Sequence, residues 1–399
     1  MPYKGADTIM TSHIMPTYGR LPVTFTKGEG AWLWDKDNKR YLDALSGIAV
    51  CNLGHAHPAI HETICAQSRQ LLHTSNLYHI AEQEQLATKL CNLSGMDNVF
   101  FANSGAEANE AAIKIARLYG HEKNIDSPAI LVMEQSFHGR TMATLSATGN
   151  PKVQAGFTPL LDGFVRVPFN DIAAIESAIE TRPDIVAILV EPIQGEGGVN
   201  IPDADYLNNI RALCNQHELL MMLDEVQTGM ARTGAWFAFQ HNAITPDVCT
   251  LAKALGNGVP IGACMAKGKA ATLLTAGKHG STFGGNLLAC SVALTVINTI
   301  ETENLCRQAI VKGATLKQGF LSRLSTNSHL VEVRNKGMMI GIELDQPCTE
   351  LVALALTAGL LINVTGDTSI RLLPPLVITE AQMTLLVDTL SALIVDFVS

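Results

Sequence analysis

Between Val99 and Leu251 short, largely apolar runs alternate with longer amphipathic stretches. The runs Val99–Ala102, Ile130–Val132, Val165–Val167, Ile185–Val190, Leu219–Leu223 and Val248–Leu251 are strand-sized. They lack the polar alternation of a strand with one wet face, so they predict strands buried on both sides. The stretches Ala106–Tyr119, Ile172–Ile179 and Ala204–Gln216 carry helical periodicity. Such a βα rhythm predicts an α/β fold, a mostly parallel sheet with helices on both faces. Ahead of it, Val23–Leu45 reads as short strands with turns at Lys27–Gly30 and Asp35–Lys39, and Pro58–His73 and Ala81–Leu93 as amphipathic helices.

The pattern changes after Asn286. Helices are expected over Leu287–Glu301 and Leu305–Leu324. Paired strands follow at Val331–Arg334 and Met339–Glu343 around Lys336–Gly337, then a helix over Cys348–Thr357, more strands and a closing helix over Glu380–Phe397. That is a smaller α+β unit. A chain of 399 residues is long enough for its core to split. The expected division is an N-terminal segment, 1–52, packing with the small domain, a large domain over 53–286, and a small domain over 287–399.

Composition narrows the partners. The formal net charge is −9, which disfavours binding to a nucleic-acid backbone. The nine cysteines are scattered, odd in number and without C-x-x-C spacing. Buried thiols in a reducing compartment, the cytoplasm, are the simplest expectation, and a metal site has no support. The first twenty residues lack the apolar stretch of a secretory signal, and no run reads as long and apolar enough to cross a bilayer.

The chemistry-bearing positions lie at the ends of the predicted strands. Asp224 follows Leu219–Leu223, and Lys253 follows Val248–Ala252. Open parallel sheets bind ligands along that edge. A lysine beside a carboxylate suits pyridoxal phosphate, whose aldehyde bonds a lysine amine and whose ring nitrogen needs an acid partner. From spacing alone, a turn-starting Asp224 and a solvated Lys253 fit equally well. Asn103-Ser104-Gly105-Ala106-Glu107-Ala108-Asn109 joins a strand to a helix, where free N–H groups suit a phosphate or a side chain merely caps the helix. Phe137-His138-Gly139-Arg140 offers an aromatic face and a cation, or a loop around a core Phe. Gly280-Ser281-Thr282-Phe283-Gly284-Gly285 offers hydroxyls to a phosphate or to the next helix. Arg371, alone in an apolar stretch, needs a partner, either a substrate carboxylate or a structural ion pair. Gly256–Gly262 and Gly195–Gly198 both fail the dinucleotide fingerprint, and no G-x-x-x-x-G-K-[ST] is present, so dehydrogenase and P-loop readings are weak.

In order along the chain, Asn103–Arg117, Phe137–Thr141, Glu191–Gly198, Leu223–Gly229, Thr250–Gly262 and Gly280–Asn286 resemble the class III, or ornithine-type, aminotransferases. The likeness runs from Pro16–Arg20 to Pro374–Leu376 and implies the fold-type I architecture of pyridoxal-phosphate transferases. It implies that Lys253 bonds the cofactor and that Asp224 pairs its ring nitrogen. Val226 and Phe137 would pack on the two ring faces, Gln227 would reach the phenolic oxygen, and Glu225 would join the same cofactor-binding set. Gly105 and Ala106 would donate to the phosphate. Thr282 would reach the partner subunit's phosphate, making the enzyme a homodimer. Arg140, with Ser281 nearby, would hold a distal carboxylate, and Tyr18 would complete the substrate site. Arg371 would take the α-carboxylate of 2-oxoglutarate, with Glu196, on a glycine-flanked mobile loop, neutralising it for a donor without that group. The family context is arginine biosynthesis, with an acylated ornithine as donor. Ornithine, succinylornithine, succinyldiaminopimelate and 4-aminobutyrate are the alternative donors. A non-catalytic ligand sensor on the same fold is the alternative of another class.

Overall fold

A computed structural model describes residues 13–399. Three short strands open the fold: β1 (Phe25–Glu29), β2 (Trp32–Asp35) and β3 (Arg40–Asp43), joined as an antiparallel meander. The first turn falls at Gly30–Ala31 rather than Lys27–Gly30, because Lys27 and Gly28 pair with Trp34 and Leu33 inside the ladder.

The central sheet has seven strands: β4 (Asn98–Ala102), β5 (Ala129–Met133), β6 (Phe164–Val167), β7 (Ile185–Val190), β8 (Leu220–Asp224), β9 (Val248–Leu251) and β10 (Gly262–Ala266). Their order is β4-β10-β9-β8-β7-β5-β6. The five strands from β6 to β9 are parallel, while β10 runs antiparallel to both β9 and β4. Strands β5, β7, β8, β9 and β10 are buried at every position. That double-sided burial is the physical source of the unbroken apolar runs in the sequence.

The C-terminal sheet contains β11 (Leu330–Lys336), β12 (Met339–Leu344), β14 (Asn363–Thr365) and β15 (Ser369–Leu372). The remaining strand, β13 (Leu360–Leu361), pairs parallel with β3, so a C-terminal strand extends the N-terminal meander. The closing helix, Glu380–Val398, spans 19 residues with a mean hydropathy of 1.5. It meets the length and apolarity of a membrane span, which corrects the sequence-based expectation that no segment does. Its Met383, Leu386, Leu390 and Ile394 are buried in the main hydrophobic core, and Asp388 and Asp396 lie on its exposed face.

One local feature departs from ordinary backbone. Ser46, Gly47, Ile48 and Ala49 all have positive φ, between 47° and 65°, and form a left-handed turn. Each non-glycine residue there costs about 1–2 kcal/mol against the right-handed form. Asp43 offsets part of this by accepting from the N–H groups of Leu45 and Ser46. The side chain of Ala49 packs in a small apolar cluster with Ile193, Val199, Met339 and Leu373.

Candidate active site

The carboxyl ends of β8 and β9 lie level, with Asp224 opposite Thr250 in the ladder. Lys253 starts the short 3-10 turn Lys253–Leu255 just beyond β9. Its φ of 44° places it in the left-handed region, a strained conformation for a long side chain and one that clusters at functional sites. A cavity of about 460 Å³ opens over this edge. Lys253, Asp224, Val226, Gln227, Gly105, Ala106, Phe137, Arg140 and Glu196 all line it.

Asp224 is buried and held from three sides. Its Oδ2 accepts from Asn109 Nδ2 at 2.8 Å and lies 2.8 Å from His138 Nδ1. Its Oδ1 accepts from the Val226 N–H at 3.1 Å. Asn109 is itself fixed by Thr250, whose hydroxyl donates to Asn109 Oδ1 at 2.7 Å. The carboxylate is therefore aimed rather than merely present, and His138 and Asn109 are functional positions that sequence reasoning did not assign. Both lie inside segments singled out there.

Lys253 is partly buried, and its amine is held below the usual lysine range. Burial is the main cause, and the positive charge of Arg371 adds to it, against the opposing pull of Asp224, Glu196 and Glu191. A depressed amine keeps more of its neutral, nucleophilic form near neutral pH.

Helix Gly105–Glu122 points its N-terminus into the cavity. Ser104 caps it by accepting from the Glu107 N–H, and that bond leaves the N–H groups of Gly105 and Ala106 without a helical carbonyl. The Ser104 cap is formed, and it is compatible with an anion at the two free N–H groups. A Cβ on Gly105 would stand 2.8 Å from the Val226 side chain, so only glycine fits.

Arg371 is fully buried on β15. Its NH1 stands 3.0 Å from Glu196 Oε1, and its NH2 donates to Asn363 Oδ1 at 2.7 Å. The Glu196 contact lacks hydrogen-bond alignment, and Glu196 is a third exposed. This is a loose ion pair at the cleft, not a locked one. The loop that bears Glu196 is not mobile in the way its glycines suggested. Gly195 N–H donates to Glu191 Oε1, Gly198 O accepts from Arg334 and Ser369, and Gln194 and Asn200 bond each other through both backbone groups. Gly195 serves close approach instead, because a Cβ there would lie 2.3 Å from Gln227 Oε1.

Glu191 is a further group the sequence reading passed over. Buried, it accepts from the N–H groups of Phe137 and Gly195 and so ties the aromatic wall to the Glu196 loop. Burial, with some help from Asp224, pushes its carboxyl up to about 7.

Arg371 does not itself line the cavity and meets it through its pair with Glu196, and four other expected site residues stand elsewhere. Glu225 faces the interior, where it accepts from Thr228 and from the Phe239 N–H, and it does not line the cavity. Ser281 Oγ is engaged with Asn103 and the Gly284 N–H outside the cavity wall. Thr282 is exposed and does not reach this chain's own cavity, and Tyr18 is 76% exposed.

The site suits pyridoxal phosphate on its own geometry. A helix N-terminus offers the phosphate two N–H groups, a fixed carboxylate faces a depressed lysine, and the side-chain oxygen of Gln227 is buried without a partner among the described residues. Comparison with known proteins agrees. The family model for class-III aminotransferases matches residues 14–394, and the chain belongs to that family: it is a pyridoxal-phosphate-dependent aminotransferase of fold-type I.

Among its relatives, an acetylornithine aminotransferase of Nitrosomonas europaea is 57% identical over 386 residues, covering 97% of this chain and 98% of the relative. Acetylornithine aminotransferase 1 of Bordetella bronchiseptica is 49% identical, covering 98% of this chain and 99% of the relative. Of solved structures, the ornithine aminotransferase of Toxoplasma gondii superposes with a TM-score of 0.93 at 33% identity, covering 96% of this chain and 93% of that one. The acetylornithine aminotransferase of Elizabethkingia anophelis gives 0.86 at 36% identity, with 96% of each chain covered.

Proposed function

We propose that this aminotransferase moves the terminal (δ) amino group of N2-acetyl-L-ornithine to 2-oxoglutarate, giving N-acetyl-L-glutamate 5-semialdehyde and L-glutamate, as a step of arginine biosynthesis in the cytoplasm. The ion pair of Glu196 with Arg371 beside Lys253 is the observation that carries the reading. The identity with acetylornithine aminotransferases over nearly the whole chain supports the choice of donor. When bound, the cofactor supplies an aldehyde carbon that accepts the amino group and a ring that delocalises the resulting electrons. Lys253 Nζ takes the proton from the donor's terminal carbon and returns one, as general base and acid. Asp224 holds the ring's positive charge from a preorganised carboxylate. Phe137, Val226 and Gln227 line the cavity, where the first two would wall the ring and exclude water and Gln227 would meet its phenolic oxygen. Arg140 reads the distal carboxylate of either substrate. Measuring kcat/KM for N2-acetylornithine, ornithine, succinylornithine and 4-aminobutyrate with 2-oxoglutarate tests the donor. Preference for free ornithine by about tenfold or more overturns it.

The two substrates make opposite demands on Arg371. The donor's reacting carbon bears no carboxylate, whereas 2-oxoglutarate presents one beside its carbonyl. Glu196 neutralises Arg371 in the first half-reaction and turns away in the second. With the loop backbone fixed, this is a rotation of the side chain. Glu196→Ala leaves Arg371 bare. It also removes a negative charge that raises the Lys253 amine, so the amine falls further. The donor half-reaction should slow about ten- to thirtyfold, and the 2-oxoglutarate half-reaction should hold or improve. Single-turnover absorbance for each half reads this out. Equal slowing of both halves makes Glu196 merely structural.

The active unit is a homodimer. Asn76 donates to the carbonyls of Ser281 and Gly284, and His73 packs on Phe283, so two segments form one surface bearing exposed Leu77, Tyr78 and Phe283. Such a contiguous apolar patch is suited to a second copy. Thr282, exposed beside Phe283, completes the partner's phosphate site. Heterodimers of a Lys253→Ala chain with a Thr282→Ala chain should regain activity through one intact site. Absence of rescue, with an impaired Thr282→Ala homodimer as control, removes the shared-site assignment.

A further inference from the structure

Arg232 is one of the largest fully buried side chains of the protein, and nothing in the chemistry above uses it. It lies beyond β8, in a stretch where Met230 and Ala231 both have positive φ. A buried guanidinium ordinarily has a carboxylate beside it, because taking an unpaired cation out of water is costly. Among the described residues, Arg232 has no carboxylate within ion-pair distance. Burial pulls its guanidinium down to about 9, well below the arginine range, against the weaker opposing pull of the more distant Asp43 carboxylate.

What surrounds it is a set of neutral acceptors from three distant parts of the chain. NH1 donates to Pro374 O at 2.6 Å and to Met338 O at 3.1 Å. NH2 donates to Asn52 Oδ1 and reaches Ser46 Oγ at 3.4 Å. These acceptors are themselves interlocked. Ser46 Oγ donates to Leu373 O at 2.6 Å, the Leu373 N–H donates to Ala44 O at 2.7 Å, and the Leu376 N–H donates to Asn52 O at 2.8 Å. Asn52 Nδ2 closes the ring by donating to Met230 O at 2.9 Å.

The segment pinned by this network, Leu373–Leu376, begins two residues after Arg371. The left-handed turn at Ser46–Ala49 leads to Val50, which lines the cavity. The Arg232 segment, in turn, leaves the end of β8, whose last residue is Asp224. One buried side chain therefore ties the strand that presents Arg371 to the strand that presents Asp224.

We infer that Arg232 is the positioning residue that sets Arg371, and with it the α-carboxylate subsite, at its working distance from Lys253. The inference rests on the proposed reading of Arg371 as the carboxylate-binding group. A planar fork is required because the acceptors diverge, and lysine cannot serve four of them at once. A small displacement of Arg371 is costly, since misplacing a binding group by an ångström loses on the order of a hundredfold in rate.

The test compares Arg232→Lys with Arg371→Lys and the milder Ser46→Ala in the holoenzyme. Two quantities are read for each: single-turnover rates of the two half-reactions, and calorimetric binding of glutarate, an unreactive dicarboxylate. Arg232→Lys should weaken glutarate binding and raise the KM for 2-oxoglutarate by about thirty- to a hundredfold. The acetylornithine half-reaction should fall by less than about fivefold, because its donor makes no use of Arg371. Ser46→Ala should shift the same quantities in the same direction by about three- to tenfold, and it decides the matter if Arg232→Lys does not fold. Equal loss in both half-reactions, or unchanged glutarate binding in folded variants, overturns the inference. If Arg371→Lys itself leaves glutarate binding intact, the reading of Arg371 fails instead.

Discussion

Lys253→Ala should abolish turnover, with a loss of at least about ten-thousandfold, the upper range for removing a positioned acid–base group. The amine is the cationic group at the cleft whose charge is suppressed by its surroundings, as burial suppresses that of the Glu191 carboxyl. Burial and Arg371 both act against protonation and hold the amine below the usual lysine range. The backbone at Lys253 is strained by its positive φ, and that strain is offset by the surrounding fold rather than relieved locally. Alanine at this position keeps the short turn but removes the only nitrogen placed to shuttle a proton at the reacting carbon. Borohydride reduction of the native holoenzyme followed by peptide mapping should label Lys253. A label on any other lysine contradicts the assignment, and so does a folded Lys253→Ala protein with measurable steady-state turnover. Added small amines should restore part of the proton-transfer step in the variant, since they replace the missing base without replacing the chain that aimed it.

Asp224→Asn should lower turnover by about a hundredfold or more, the loss of roughly 3 kcal/mol of preorganised electrostatic stabilisation. The structure sharpens why a near-isosteric change is so damaging. Asp224 accepts from Asn109 and Val226 and meets His138 Nδ1, using both carboxylate oxygens. An amide has one acceptor oxygen. Either the Val226 N–H or the Asn109 and His138 donors then face an NH2 group, so the variant loses a bond as well as the charge. Rates at saturating cofactor separate this effect from weaker cofactor binding. Near-native turnover there would remove Asp224 from its role.

Much of the site was legible because strand ends are legible. Ile185–Val190 and Val248–Leu251 were predicted to the residue; the first is an apolar run between Asp184 and Glu191, and the second is a largely apolar run opened by Asp247. Asp224 and Lys253 follow such runs, and a parallel sheet brings its carboxyl ends together. Other features depend on which way a side chain points. Glu225 sits next to Asp224, but successive residues along extended backbone face opposite sides, and Glu225 turns to the interior. Its acceptance from Phe239 links positions that no local pattern connects. The glycines of Gly195–Gly198 read as freedom of movement because glycine is permissive in isolation. Their surroundings show that Gly195 and Gly197 are there for lack of volume and Gly198 for its positive φ. Arg232 was invisible for a related reason, since its partners at Ser46, Asn52, Met338 and Pro374 meet only in three dimensions.

The fixed backbone around Glu196 has a consequence for time as well as geometry. Partly exposed side chains change rotamer in picoseconds to nanoseconds, while loops and lids that carry backbone move in microseconds to milliseconds. A typical enzyme turns over about ten times a second. On the proposed reading, Glu196 would sample its paired and unpaired orientations many millions of times in each catalytic cycle. The exchange between substrates is then a pre-equilibrium, described by a population rather than by a rate. Thickening the solvent should leave it untouched, and substrate preference should follow the energy difference between two rotamers and nothing slower.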